Sequence, residues 1–356
     1  MQMNKNILDI YSDYLISQNQ YATATGLSKL LEGNISHDQV TRFLNRNEFT
    51  SKDLWLYVKP ELRKYEQDEQ GIFIFDDTIE EKPYTDENDT VSWFYSHAKG
   101  RCLKGINILS GLIRYGDFAL PVAYEAIRKD LHFCDLEDKK EKRRASISKN
   151  NLFCLMLEQA IKNEVKFEYV LADSWFGSKK NLEYINHDLE KKFIIGMKTN
   201  RLVALSEEDR KNGQYQNLKS LKIKDKETKK VWLKDLSFPV KLLKKVFKNE
   251  NGSAGNLYLV TNDLNLDADQ IYDIYQKRWR VEEYHKSVKQ NASLEKSPTK
   301  VARSQRNHIF ASIIAYCKLE LLRVKTHLNH FAMKYKLIIR ANQIAYQELQ
   351  KLKASA

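Results

Sequence analysis

Cysteine is scarce in this chain, and long apolar runs are missing. Its four cysteines, Cys102, Cys134, Cys154 and Cys317, are scattered, with no C-x-x-C pair and no histidine at zinc spacing. That excludes a disulfide framework and a structural zinc site, and points to a reduced, intracellular protein with buried thiols. No apolar stretch reaches the ~18 residues of a membrane span, so no membrane partner is expected. The opening residues, MQMNKNILDIYSDYL, lack the apolar segment and small-residue cleavage site of a secretory signal, and a cytoplasmic location is the expectation. Internal repeats and low-complexity tracts are absent as well.

What is present is charge over an ample core. Of 356 residues, 42% are apolar and 30% charged, the balance of a globular protein with one large or two to three smaller domains. The net charge of +12 favours a polyanionic partner. Between Gly196 and Glu250 stand 15 lysines and arginines against seven acids, so this one stretch carries a surplus of eight. Such concentration favours nucleic acid over a merely solvated lysine-rich face.

Residues 1–65 have a helical pattern. Leu27, Leu30 and Leu31 precede a break at Gly33-Asn34, and Ser36 is placed to cap a second helix whose inner face is Val40, Phe43 and Leu44. A helix-turn-helix is the expectation, with His37, Gln39, Thr41 and Arg42 turned outward toward a major groove, although any small helical bundle has the same pattern. The period then changes. Ile72–Phe75 predicts a buried strand ending at Asp76-Asp77-Thr78, residues 106–116 and 118–127 two more, and 167–172 a strand stopping at Asp173. Residues 134–151 are charged and predict a loop, helices are expected from about Leu152 to Lys162 and near Ser178, and Lys192–Met197 predicts a further strand. Short β-like pieces follow at 231–233, 240–246 and 257–261, and the run from Asn307 to about Leu352 is helical. Strands and helices in this order predict an α/β fold with a mixed sheet flanked by helices.

Three carboxylates stand out by position. Asp77, with Asp76 beside it, and Asp173 end predicted strands, where ligands bind in open α/β sheets. Glu282 belongs to YQKRWRVEEYHKSVK (275–289), in which Tyr275, Arg278, Glu282 and Lys289 fall at offsets 0, 3, 7 and 14. On one helix these offsets span only about 60° of arc, whereas Glu283 sits about 100° further round than Glu282. Taken singly, each aspartate fits a cap or turn, and Glu282 fits an i,i+4 pair with Lys286. Together they form a set of hard oxygen donors suited to Mg²⁺ or Mn²⁺. Two such ions ~3.5–4 Å apart support in-line displacement at phosphorus.

These pieces resemble the DDE transposases of bacterial insertion sequences, of the insertion-sequence-four type marked by a Tyr-x-x-Arg-x-x-x-Glu-x-x-x-x-x-x-Lys signature. Tyr275, Arg278, Glu282 and Lys289 fit it without a gap, and FDDT (75–78), ADSWFG (172–177), YLVTND (258–263) and RWRVEEYHK (278–286) are similar to that group's phrases over about residues 70–320. The resemblance implies a ribonuclease-H-like core with a β-rich insertion before the Glu-bearing helix. Asp77 and Asp173 lie 96 positions apart, and Asp173 and Glu282 lie 109 apart, a gap that the basic stretch fills. The implied organisation is a helical DNA-binding region at 1–65, a core at 70–198 and 263–300, an insertion at 199–262 and a C-terminal helical region at 301–356.

By motif position, the resemblance implies Asp77, Asp173 and Glu282 as ligands of two divalent ions. Asp77 is preferred to Asp76 because it directly precedes Thr78, while the twins Asp76 and Glu283 keep a one-residue ambiguity at both places. Tyr275, Arg278 and Lys289 would grip phosphates of double-stranded transposon-end and target DNA, and Arg42 would bind DNA from the first region. Trp232 resembles an aromatic on which a flipped base stacks, a strand-core tryptophan being the equal alternative. His97 is expected near the site or as a structural histidine. The implied activity is cut-and-paste transposition by a homodimer, with the C-terminal helices as candidate dimer contacts. Its rivals are a transposase-derived DNA-binding protein without catalysis, and a nuclease of the same fold. A glycosidase with paired carboxylates fits poorly, because a basic stretch serves no neutral sugar.

Overall fold

Residues 2–66, 71–97, 99–137, 139–248, 252 and 254–355 are described by a computed structural model. The chain opens with four helices, α1 (Gln2–Ser17), α2 (Ala24–Leu30), α3 (His37–Arg46) and α4 (Ser51–Tyr65). Ser36 caps α3 through a reciprocal pair: its Oγ accepts from the Gln39 N–H at 3.3 Å, and Gln39 Oε1 accepts from the Ser36 N–H at 2.8 Å. Gln39 is thereby committed to the cap, while His37, Thr41 and Arg42 are exposed.

Four strands follow: β1 (Ile72–Glu81), β2 (Ser92–Ser96), β3 (Arg101–Tyr115) and β4 (Phe118–Ala126). β1 does not stop at the aspartates. It pairs antiparallel with β3 along its whole length, from Ile72 opposite Arg114 to Glu81 opposite Gly105, because the 15-residue β3 offers a ladder long enough to carry it past them. Next come β5 (Leu131–Cys134) and β6 (Glu141–Arg144), a two-stranded ribbon where the charged composition predicted a loop. Its residues are almost all exposed, so no buried face imposes an apolar alternation.

Helix α5 (Lys149–Lys162), strand β7 (Tyr169–Ala172), helix α6 (Lys179–Glu183) and strand β8 (Lys192–Gly196) complete the centre. β7 lies parallel to both β1 and β8. The chain then forms β9 (Leu202–Ala204), α7 (Glu207–Lys211), β10 (Gln216–Asn217), β11 (Thr228–Leu233), β12 (Val240–Lys248) and β13 (Ala254–Thr261). Rather than forming a sheet of their own, these strands extend the central one, because β13 pairs antiparallel with β8. The result is a mixed sheet of eleven strands in the order β10-β9-β11-β12-β13-β8-β7-β1-β3-β2, with β4 also on β3.

Four helices close the chain: α8 (Ala268–Gln276), α9 (Trp279–Gln290), α10 (Ala302–Thr326) and α11 (His330–Ala354). α10 is the hub. Its Ala311, Ala315 and Leu319 pack with Tyr11, Leu15, Leu27, Val40 and Phe43 of the first three helices, while its Ile309, Phe310 and Ile313 enter the main core. Buried Glu320 of α10 fixes α9 from behind. One of its oxygens accepts from Arg280 Nη2 at 2.7 Å and from the Ala119 N–H at 3.1 Å, and the other accepts from Arg323 Nε at 2.9 Å and faces His330 Nε2 at 3.1 Å. No helix among the described residues is long and apolar enough to cross a membrane.

Candidate active site

The site opens where β1 outruns β7. β7 pairs with β1 only at Ile72–Ile74 and ends at Ala172, so β1 continues beyond it with a partner on one side alone. Strand alternation then sends Asp76 and Asp77 to opposite faces. Asp77 shares its face with Phe75, whose ring packs on Phe153 of α5 at 4.5 Å. There Lys149 Nζ approaches Asp77 Oδ1 at 2.7 Å and Asn107 Nδ2 donates to its Oδ2 at 2.7 Å. Asp76 faces α9, where Arg278 Nη1 donates to its Oδ2 at 3.1 Å.

Asp173 follows β7 directly, and its Oδ1 accepts from the Trp175 N–H at 2.9 Å, which folds the chain back over β8. Gly196 makes that possible: a Cβ there would lie 2.9 Å from the Ser174 nitrogen.

The signature segment is not one continuous helix. Tyr275 closes α8, Glu282 and Lys289 lie on α9, and Arg278 sits between, its N–H donating to the Tyr275 carbonyl three residues back at 2.9 Å. This tight turn at Lys277-Arg278 invalidates a single 100° count across 275–289. It aims Arg278 between two acids, because its Nη2 also donates to Glu282 Oε1 at 3.3 Å. The Arg278 guanidinium also lies over the Tyr275 ring, 5.9 Å from its centroid. Glu283 turns away, with Oε2 2.7 Å from Arg280.

Burial raises the pKa of a carboxyl, and neighbouring acids add to the shift. Burial pushes the Asp76 carboxyl up to about 7; Arg278 opposes this, while Glu282, Asp173 and Asp77 add to it. Asp173 is also raised, chiefly by burial. His285, on α9, is pushed down to about 3 by burial, with Lys289 and Arg278 acting in the same direction, so its imidazole is neutral. Carboxylate oxygens of Asp76 and Glu282 and a ring nitrogen of His285 lie within 4.8 Å of one another, a spacing that suits one cation. Residues of this chain thus fit the divalent metal that the acid cluster implies.

Around these groups lies an open cleft of about 1010 Å³. Lys149, Lys286, Lys289, Arg278 and Lys129 supply positive charge along it. Trp175 stands at one edge, 42% exposed, with Lys149 Nζ 4.7 Å and Lys198 Nζ 5.1 Å from its ring centroid. His97 lies beside it, the two rings 6.3 Å apart.

Of the residues singled out from the sequence, Asp77, Asp173, Arg278, Glu282 and Lys289 line this cleft, and so do Asp76 and His97. Lys289 Nζ donates to the Ile79 carbonyl at 3.0 Å and pairs with Glu295 at 3.3 Å. Tyr275 lies just behind, under Arg278, its phenol pushed up to about 12 mainly by burial. Trp232 is elsewhere, 9% exposed in β11 opposite Ala204. Arg42 is exposed on α3. Lys149, Asn107, Trp175 and His285 went unread. Lys149 is the first residue of α5, where the helix dipole disfavours a cation, and that misplacement was a signal. His285 sits three residues after Glu282, on the same helix face, and that spacing was another.

A family model described as a transposase DDE domain matches residues 139–318, just over half of the chain. No curated protein matches the sequence.

Proposed function

This chain belongs to the transposase DDE-domain family, and from that premise we propose that it is the transposase of an insertion sequence of the insertion-sequence-four type. It would cut double-stranded DNA at terminal inverted repeats and transfer the freed ends to target DNA by a cut-and-paste route. The observation that carries this reading is the meeting of Asp76, Asp173 and Glu282 in a cleft edged by cations and an exposed tryptophan.

Asp173, Glu282 and one aspartate of the Asp76–Asp77 pair would hold the divalent ions, Mg²⁺ or Mn²⁺, two per site. Geometry favours Asp76 over the expected Asp77, because it shares a face with Glu282 and a cation with it. Those ions would supply the charge that makes water or a 3′-hydroxyl a competent nucleophile and that offsets charge on the leaving oxygen. In the first cut, a P–O bond forms from water and the bond from phosphorus to the 3′ oxygen breaks, with a proton passing to that oxygen. The freed 3′-hydroxyl then attacks a phosphorus of the opposite strand, whose own 3′ oxygen leaves protonated, and a second water opens the resulting hairpin, so that the regenerated 3′-hydroxyl attacks target DNA with no protein–DNA covalent intermediate. Arg278 and Lys289 would grip phosphates, Arg278 bidentate and Lys289 as a point charge, with Tyr275 bracing Arg278 from behind. Trp175 is the better-exposed ring for an unstacked base.

Residues 1–65, with Arg42, would add duplex contacts, and 199–262 would serve as the basic insertion of a ribonuclease-H-like core. Dimerisation is assigned to α11. Phe331, Tyr335, Ile338, Asn342, Ala345, Leu349 and Leu352 alternate at spacings of four and three, a heptad seam with one central asparagine. In a parallel pair, Glu348 of one copy would face Lys353 of the other. Work on chromosomal DNA would put the protein in the bacterial cytoplasm.

The test is strand cleavage of a duplex bearing the element's terminal repeat, in Mg²⁺. Wild-type protein should nick at the repeat end and form a hairpin, and Asp76→Asn, Asp173→Asn and Glu282→Gln should each lose about 100-fold or more. Asp77→Asn should lose less. Excision by Glu282→Gln at the parental rate would favour the non-catalytic rival, and cleavage indifferent to the repeat would favour a general nuclease.

A further inference from the structure

His285 is largely buried, 7% exposed at the wall of the cleft, and its Nε2 has no hydrogen-bond partner. Leaving such a nitrogen unpaired costs about 1–3 kcal/mol, so its position calls for a reason. Two neighbours bear on that reason. The void beside it, lined by Thr78, Ser110 and Tyr284 among others, has a volume of about 10 Å³, at the lower limit for one water. Carboxylate oxygens of Asp76 and Glu282 lie within 4.8 Å of one of its ring nitrogens.

We propose that His285 supplies a nitrogen ligand to the divalent ion held by Asp76 and Glu282, making that half of the site a mixed oxygen–nitrogen site. The inference rests on the reading of the acid cluster as a metal centre. Glu282 and His285 form a Glu-x-x-His pair on α9, the i,i+3 spacing by which helices present a carboxylate and an imidazole to one metal. The third ligand comes from β1 on the face that α9 covers. Three atoms within 4.8 Å of one another reach ligand bonds of about 2.1 Å with shifts of up to about 1 Å each, within the range of side-chain rotation. Arg278 now bridges the two carboxylates, so an ion entering there displaces a guanidinium from acids already gathered.

An imidazole shifts a site's preference from Mg²⁺ toward Mn²⁺ and later transition ions. This is how His285 would mark the chemistry of this chain. Loss of the nitrogen should weaken Mn²⁺ binding about tenfold or more while affecting Mg²⁺ less.

The experiment uses the untagged full-length chain, stripped with chelator and titrated with Mn²⁺ alone, read by pulsed electron paramagnetic resonance. Wild-type protein should show nitrogen coupling of a directly bound imidazole, and labelling its histidines with ¹⁵N should replace that coupling with the ¹⁵N pattern. His285→Gln should lose the coupling and bind Mn²⁺ about tenfold more weakly, while His97→Gln keeps both. Tight Mn²⁺ binding to wild-type protein without nitrogen coupling overturns the inference, whether or not the His285 variant folds, and leaves the metal centre standing. Mn²⁺ binding that is indifferent to both Asp76→Asn and Glu282→Gln defeats the metal-centre reading itself.

Discussion

Two tryptophans stand in opposite settings. Trp232 is buried in β11 and Trp175 stands open beside Asp173 between two lysines. Trp175→Ala should therefore weaken binding to end DNA by about 1–3 kcal/mol in a fluorescence anisotropy titration with little change in unfolding midpoint. Trp232→Ala should do the reverse, costing about 3–5 kcal/mol of stability with the affinity of the folded fraction unchanged. At this scale the sequence disclosed which chemical groups gather in the cleft but not which way they face. The acids and the signature cations were legible because buried-strand patterning and motif spacing mark them. Which of Asp76 and Asp77 faces the Glu-bearing helix was not, since that depends on which face of β1 the helix covers, and the helix lies about 200 residues further on.

Elements tell a similar story through their junctions. The turn at Lys277-Arg278 has no glycine or proline to announce it, so the segment reads as one helix until tertiary packing bends it. The β5–β6 ribbon was illegible because β6 is a run of charges, Glu141–Arg144, and β5 has only four residues with no buried face to mark it. α9 is held in place by Glu320. Burial alone would raise that carboxyl, but hydrogen bonds from His330 and Arg323 and the charge of Arg280 bring it down to about 2. A depressed acid contributes stability above its unfolded value near 4.5 and loses it as pH falls toward 2. His308, which accepts from the Tyr11 hydroxyl at 2.9 Å and ties α1 to α10, is lowered to about 4 by burial. An imidazole kept neutral in this way costs stability as pH falls from 6.5 toward 4. Denaturant midpoints should therefore decline below about pH 4.5, whereas above it the raised Asp76 carboxyl, which gains stability as pH falls through 7, opposes His308. Glu320→Gln should lower stability by about 3 kcal/mol at pH 7 and flatten the part of the decline below 4.5. For α11, Ile338→Arg should convert a dimer to a monomer in sedimentation analysis, and an unchanged mass would remove the heptad seam from consideration.

For the whole molecule, continuity of the sheet outweighs the apparent insertion. Val231, Leu242 and Leu259 belong to the same buried cluster as Phe73, Val170 and Phe310. Hydrogen exchange in β11–β13 and tryptophan fluorescence should accordingly report one unfolding midpoint, whereas an earlier loss of protection at 228–261 would show a separable unit. The basic stretch was legible by its charge count, but its attachment to β8 was not, because edge pairing leaves no periodic trace in either strand.

The arginine between Asp76 and Glu282 has one more consequence. A cluster of acids brought together without ions would repel itself and tend to pull the cleft apart. Here a side chain of the same fold serves as a resident placeholder, with Lys149 doing the same for Asp77. On the proposed reading, assembly of the scaffold would not wait for metal: chelator should abolish strand cleavage and fresh ions restore it, while the unfolding midpoint stays where it was.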